Sequence, residues 1–269
     1  MSVDAAPRKL AAPPIVEVAC SFEFEPLRAL DALWLGRVWE VFSADYPVGR
    51  VHPPIVTRPE LHLGPPELRA WYVSEDEEFI VQLQRDRFVF NWRRPDARDP
   101  NARYPRFRDH EDLAGVNSRA NTAFQDFAKF WGKHHGERPE VLRCALTKVD
   151  VLRRNEHWQT LDTLAILVPR LAPLLGEGNK GEFNHLDISL ETQRSHVKLA
   201  SRWHLRGTTG QQAALRWETT GVRAVGTQDN SIDLTEVFLD LNRAVNDLFF
   251  GDLSRDALSV FKAEEETQE

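Results

Sequence analysis

Two cysteines, Cys20 and Cys144, are all the thiol chemistry this 269-residue chain has. Both sit in apolar strand-like runs, VACSF and RCALT. That excludes a disulfide-rich secreted scaffold and a CxxC redox pair, and it reads as two reduced, buried side chains. A metal site would need more ligands at closer spacing. Long apolar runs are also missing. The longest, LDTLAILVPRLAPLL, is interrupted by Pro169, Arg170 and Pro173, well short of the roughly 20 apolar residues of a membrane span. The opening MSVDAAPRKLAAPP has no apolar core and is broken by proline, unlike a signal peptide. A soluble, cytoplasmic protein with no membrane contact is expected.

Catalytic signatures are absent as well. The chain has no GxSxG elbow, Walker A loop, GxGxxG or HExxH. GEGNKG at 176–181 has a turn's glycines but not a phosphate loop's spacing. No catalytic residue, cofactor or metal ligand is therefore assigned. His185 with Asp187, facing His196 or His204 across a strand pair, is the one arrangement that could hold a metal, and hydrogen-bonding histidines are the simpler reading. Asp109-His110-Glu111-Asp112 reads as an acidic helix start that complements the helix dipole.

Aromatic residues are plentiful, with 15 Phe and 8 Trp against a single Met. They follow clear periods. Residues 14–24, PIVEVACSFEF, alternate Val16, Val18, Cys20, Phe22 and Phe24 against Glu17, Ser21 and Glu23, which predicts a half-buried strand. Leu27, Leu30, Leu33, Trp34, Val38, Val41 and Phe42 follow at helical spacing. Three strand-like runs (RAWYVS, EFIVQLQ, RFVFNWR) lead to a helix in GVNSRANTAFQDFAKFWGKH. The order then repeats: a strand over 141–153, a helix from Thr160 to Leu175, strands near 183–192, 195–206 and 213–225, and a closing helix from about Ile232, capped by Ser231 or Asp233.

This pattern predicts an α+β fold of two pseudo-repeated units, each strand, helix, three strands, helix. Each would be a helix-grip antiparallel sheet like the halves of TATA-box-binding protein. The expected divisions are a disordered segment at 1–13, a first unit at 14–136, a second at 137–262 and an acidic tail at 263–269.

Several short motifs occur together: Pro14-Ile15-Val16-Glu17-Val18, Phe90-Asn91-Trp92, Tyr104-Pro105-Arg106-Phe107, LTKVDVL and LDLNRAVNDLFFGDLS. In this combination the chain resembles a bacterial family described only as "sporadically distributed", over nearly its whole length. The chain departs from that family at Asn242, where a His is frequent, and at Thr147-Lys148-Val149-Asp150, where Tyr-Ile/Val-Asn is frequent. The resemblance implies the same architecture and no particular activity. An accessory role in defence or a specialised gene cluster would suit a sporadic distribution.

The chain carries a net charge of −7, yet arginine is concentrated locally. Residues 85–108 hold eight Arg against three Asp, and 194–223 hold six Lys or Arg against Glu218 alone. Alternation puts Phe88, Phe90 and Trp92 on one face and Arg87, Asn91 and Arg93 on the other. In SHVKLASRWHLR it likewise sets His196, Lys198, Arg202, His204 and Arg206 against Val197, Leu199, Trp203 and Leu205. Guanidinium forks bind phosphate and carboxylate in bidentate fashion. Arg87, Asn91, Arg93, Lys198, Arg202, His204 and Arg206 are therefore the expected binding residues of a non-enzymatic adaptor. Its partner would be an acidic protein or peptide, or a small anion, and homodimerisation remains open.

Two alternatives remain. One is an enzyme or enzyme subunit with a cleft between the halves, where His196, His204 and Asp187 face Asn91 and Arg93. The other is a single-stranded nucleic-acid binder, which requires aromatic rings exposed among the arginines. The net negative charge counts against nonspecific duplex binding.

Overall fold

Alternation in IVEVACSFEF gives a strand with two chemically different faces, and the rest of the chain is arranged around it. The structure is a computed structural model that describes residues 8–10, 13–55, 68–95, 105–110, 113–175, 185–206, 213–226, 232–261 and 263–265. Along the chain the first elements are β1 (Arg8–Leu10), β2 (Ile15–Phe24), α1 (Ala32–Phe42), β3 (Val48–His52), β4 (Arg69–Val73), β5 (Phe79–Gln84), β6 (Arg87–Arg93) and α2 (Val116–His135). There follow β7 (Val141–Arg153), α3 (Leu161–Leu167), a 3-10 turn (Pro169–Leu171), α4 (Ala172–Leu175), β8 (His185–Arg194), β9 (Val197–Arg206) and β10 (Ala214–Ala224). The last elements are α5 (Leu234–Asp252), α6 (Arg255–Val260) and β11 (Ala263–Glu265).

Nine of these strands form one antiparallel sheet in the order β3-β4-β5-β6-β2-β7-β10-β9-β8. The fold is α+β, with the helices packed on one face of the sheet. β2 and β7 lie side by side in its middle, Cys20 opposite Leu146 and Phe22 opposite Cys144. Both cysteines are buried free thiols.

Phe22 is the pivot of the core. Its ring stacks on Phe124 of α2 at 4.4 Å, meets Phe238 of α5 edge-on at 4.9 Å and touches Phe88 of β6 at 6.0 Å. Such aromatic pairs contribute about 0.5–1.5 kcal/mol each beyond simple burial. A second apolar cluster on the same face gathers Leu152, Trp158, Trp203, Leu215, Trp217 and Phe249 beneath α3, α4 and α6.

Local chemistry sets the helix ends. Asp31 caps α1, its carboxylate accepting the Leu33 and Trp34 N–H groups at 3.0 Å. At α2 the N-cap is Gly115, with no side-chain cap; Asp109 braces the approach, accepting from the Gly115 N–H at 2.7 Å and the Ser118 hydroxyl at 2.8 Å. The stretch 109–110 therefore lies ahead of the helix instead of forming its acidic start, and the first turn of α2 holds no acidic residue; Glu111 and Asp112 lie outside the described residues. Asp233 caps α5; Ser231 is outside the described residues.

Four expectations need correction. The helix over 160–175 breaks at Val168, which takes φ −121° and ψ 81°, because the following proline disfavours helical backbone. Leu33 is 78% exposed, since α1 turns Leu35, Val38 and Phe42 inward instead, and Leu27 precedes the helix. Within the segment expected to be disordered, Arg8–Leu10 form a strand, and Ala263–Glu265 of the acidic tail pair with it. The antiparallel register sets Arg8 opposite Glu265 and Lys9 opposite Glu264, residues of opposite charge. Residues 1–7, 11–12 and 266–269, like GEGNKG, fall outside the described residues.

At Gly221 on β10, α5 packs directly against the strand. A Cβ there would stand 3.0 Å from Val245 and 3.3 Å from Leu241, whereas one at Gly49 would meet nothing within 4 Å. Gly221→Val should therefore destabilise the fold by about 1–3 kcal/mol, and Gly49→Ala should stay within about 0.5 kcal/mol of wild type. Urea unfolding of both variants checks this.

Candidate functional site

On the face away from the helices the sheet forms a groove of about 1180 Å³, lined by residues of β2, β4 to β10 and Ile55. Its floor is built of small or apolar side chains, Ala19, Val89, Ala145, Val149, Ala200 and Val222, flanked by polar ones. Alternation explains this composition. The residues between the core positions of each strand are those that reach the groove.

The β2–β6 register determines the charges at one end. Glu17 stands opposite Arg93 and Glu23 opposite Arg87. Glu23 accepts from Arg87 at 3.0 Å and from Arg143 at 2.5 Å. A polarised chain of hydrogen bonds runs toward Glu17. Arg69 donates to Gln82 at 3.1 Å, Gln82 to Asn91 at 2.7 Å, and Asn91 to Glu17 at 2.6 Å. Arg93 also reaches Glu17 at 3.4 Å. Each bond in such a chain strengthens the next.

Trp71 lies beside this network, with the Arg93 guanidinium 4.8 Å and the Arg69 guanidinium 5.3 Å from its ring centroid. His52 packs on the same ring at 3.9 Å. Desolvation, then Arg69, Arg50 and Arg93, hold the His52 imidazole below its usual pKa, which keeps it neutral at neutral pH. Arg69 itself is held below its ordinary range by desolvation and by Arg93 and Arg87. Three arginines crowd one end of the groove.

At the other end, Arg216 pairs with Glu218 at 2.8 Å. Lys198 and Arg202 line the groove, are exposed, and among the described residues have no ion pair.

The expected binding residues thus divide into three groups. Arg87 and Asn91 lie on the groove face, but they are 8% and 2% exposed and held by neighbouring side chains. They act as internal struts. Arg93, Lys198 and Arg202 line the groove with accessible surface. His204 and Arg206 share their strand face but do not line the groove. His204 is instead bound to Asp187 at 2.5 Å, and Asp187 also bonds His185 at 2.5 Å. That local triad on β8 and β9 is where His185, Asp187 and His204 meet. Among the described residues, no group of three or more His, Cys, Asp or Glu side chains is placed to hold a metal ion.

A cleft joining His204 and Asp187 to Asn91 and Arg93 is not formed. The order β6-β2-β7-β10-β9 puts four strand spacings between them, about 19 Å along the sheet at ~4.8 Å per strand. Phe88, Phe90, Trp92 and Trp203 are buried on the helix face. Trp71 was missed in the sequence, although alternation in RAWYV, with Ala70 and Tyr72 buried, assigns it to the groove.

Against known proteins, no family model matches the chain, and no curated protein matches it in sequence. Among the described residues no helix is long and apolar enough to cross a membrane.

Glu23 neutralises Arg87, whose side chain is only 10% exposed. Replacing Glu23 with Gln leaves a buried cation unpaired and should cost about 3–5 kcal/mol of stability. Charge removal at exposed Arg202 should leave stability within about 0.5 kcal/mol. Chemical denaturation of the two variants separates strut from surface charge.

Proposed function

We propose that the protein is a non-enzymatic binding protein that holds an acidic segment of a partner protein in the groove. The observation that carries this is the charge of the lining. Seven Lys or Arg side chains stand against four Glu in a chain whose overall charge is −7, and among the described residues Lys198 and Arg202 make no ion pair. A groove of 1180 Å³ that crosses eight strands is too large for one small anion. It suits an extended peptide, whose carboxylates meet guanidinium forks at both ends. The four glutamates work against a uniform polyanion and favour a partner of mixed sequence.

The same reading takes the sheet as two helix-grip units joined at β2 and β7. Supporting it, β6-β5-β4 on one side are matched by β10-β9-β8 on the other, and each set is followed by a long helix, α2 or α5. The resemblance to the sporadically distributed bacterial family belongs to this proposal, as does an accessory role.

Single-stranded nucleic acid is the second reading, favoured by one observation: Trp71 faces the groove between Arg69 and Arg93, the combination on which a base can stack.

Fluorescence anisotropy with a labelled Glu/Asp-rich peptide and a labelled oligothymidylate of equal charge tests both. The peptide should bind more tightly, and Lys198→Glu/Arg202→Glu should weaken it about tenfold or more. Tighter oligothymidylate binding that is lost in Trp71→Ala would favour the second reading. Peptide affinity unchanged by the double reversal would overturn the groove as the binding surface.

A further inference from the structure

The helix face of the sheet holds a second site, unrelated to the groove. On β7, alternation sends Cys144, Leu146, Lys148, Asp150 and Leu152 toward the helices, and the two in the middle are charged. They meet the gap between the two apolar clusters, one containing Leu146 and Val245, the other Leu152 and Phe249. The gap is a cavity of about 270 Å³. Phe107, Phe249 and Phe250 form its aromatic walls, and Ile15 and Leu10 close it from the side of the first strands.

Its polar groups are incompletely satisfied. Lys148 donates to the Asn246 carbonyl oxygen at 2.7 Å, and its ammonium stands 5.7 Å from the Phe107 ring centroid. Asp150 lines the cavity, is 5% exposed, and among the described residues accepts no hydrogen bond and makes no ion pair. The Thr219 hydroxyl, opposite Lys148 in the β10–β7 register and also lining the cavity, is buried without a partner. Burial of the Asp150 carboxyl is offset only in part by the nearby Lys148 charge. A carboxylate that lines a cavity with no hydrogen bond from the described residues can accept one from a ligand's donor.

The pair defines the ligand's charge. A simple cation would be repelled by Lys148 and a simple anion by Asp150. Lys148 and Asp150 are alternate residues on one strand face, about 7 Å apart along the backbone, so the lining carries both charges with aromatic walls beside them. We propose that this cavity binds a small zwitterion, an α-amino acid with an apolar side chain. Its ammonium meets Asp150 and its carboxylate meets Lys148. Its side chain lies against Phe107, Phe249 and Phe250, and Thr219 is within the same polar floor.

The ionisation of the two groups agrees. Water still reaches Lys148 through the cavity, but the surrounding protein desolvates its amine, lowering its pKa to about 8. Burial raises Asp150 to about 7, offset in part by Lys148. A zwitterion would return to each the counter-charge that burial denies it.

The buried pair also leaves a mark on stability. A carboxyl with a raised folded pKa loses stability as pH climbs from about 4 to its folded value, and a lysine with a lowered one regains it from its folded value up to about 10.5. Asp150→Asn should thus flatten the fall in melting temperature between pH 4 and 7. A fall as steep as in wild type would mean the carboxylate is not buried as described.

Calorimetric titration of the full chain with L-phenylalanine and L-leucine tests the proposal, with 3-phenylpropionate and 2-phenylethylamine as single-charge analogues. At least one amino acid should bind, and both analogues about tenfold or more weakly. Lys148→Met and Asp150→Asn should each weaken binding to a similar extent, circular dichroism confirming that they remain folded. Lys198→Glu/Arg202→Glu, in the groove, should bind the amino acid as wild type does. No binding of either amino acid at millimolar concentration, or an analogue that binds equally well, would overturn the proposal. So would affinity unchanged in both cavity variants.

Discussion

The antiparallel pairing of β2 with β7 is the constraint on which the rest of the structure depends. It joins strands separated by more than a hundred residues and makes one sheet out of what would otherwise be two smaller ones. It also puts Phe22 where helices from the middle and the C-terminal part of the chain, α2 and α5, can close on it. Long-range strand pairing is entropically expensive to initiate, and the aromatic cluster around Phe22 offsets that cost. On the opposite face the same two strands supply Ala19, Ser21, Ala145 and Thr147 to the groove. The core and the groove are two sides of one ladder.

Alternation then separates chemistry by face, and departures from it are informative. On the groove face, polar side chains are expected to point into water, and several do not. Arg87 and Asn91 are tied into β2 by Glu23 and Glu17, which turns what would be a ligand-binding row into internal bracing. The accessible positive charge is therefore shifted toward Arg93 and toward Lys198 and Arg202. On the helix face, apolar residues are expected throughout, and Lys148 and Asp150 break the rule where the two apolar clusters fail to meet.

Much of this is legible in the sequence. Period two in RFVFNWR and VKLASRWHLR assigns each side chain to its face, and helical spacing finds α2 and α5. What escapes is whatever depends on register between distant strands. Glu17 and Glu23 can be read as salt-bridge partners of Arg93 or a neighbour, as Glu17–Arg93 and Glu23–Arg87 are, but which glutamate meets which arginine follows from a β2–β6 register that alternation alone does not specify. His204 and Asp187 are correctly read as neighbours across a strand pair. Their distance from Arg93 could not be read, because strand order is not written in any local pattern. The charged pair in LTKVDVL was visible by parity alone, in series with Cys144, Leu146 and Leu152. It passes unnoticed because a Lys and an Asp two apart on a strand look like a solvated pair until helix α5 is known to cover them.

Native-state hydrogen exchange followed residue by residue tests the central claim most directly. If the β2–β7 ladder unites one cooperative sheet, the amides of Cys20, Phe22, Cys144 and Leu146 will be the slowest to exchange. They will open only with global unfolding, at the same free energy as the central amides of β6 and β10. If instead the β2 and β7 amides open well below the global free energy, while β4–β6 and β8–β10 remain separately protected, the chain is two independent sheets in contact. The single groove spanning them would then not be a property of the fold.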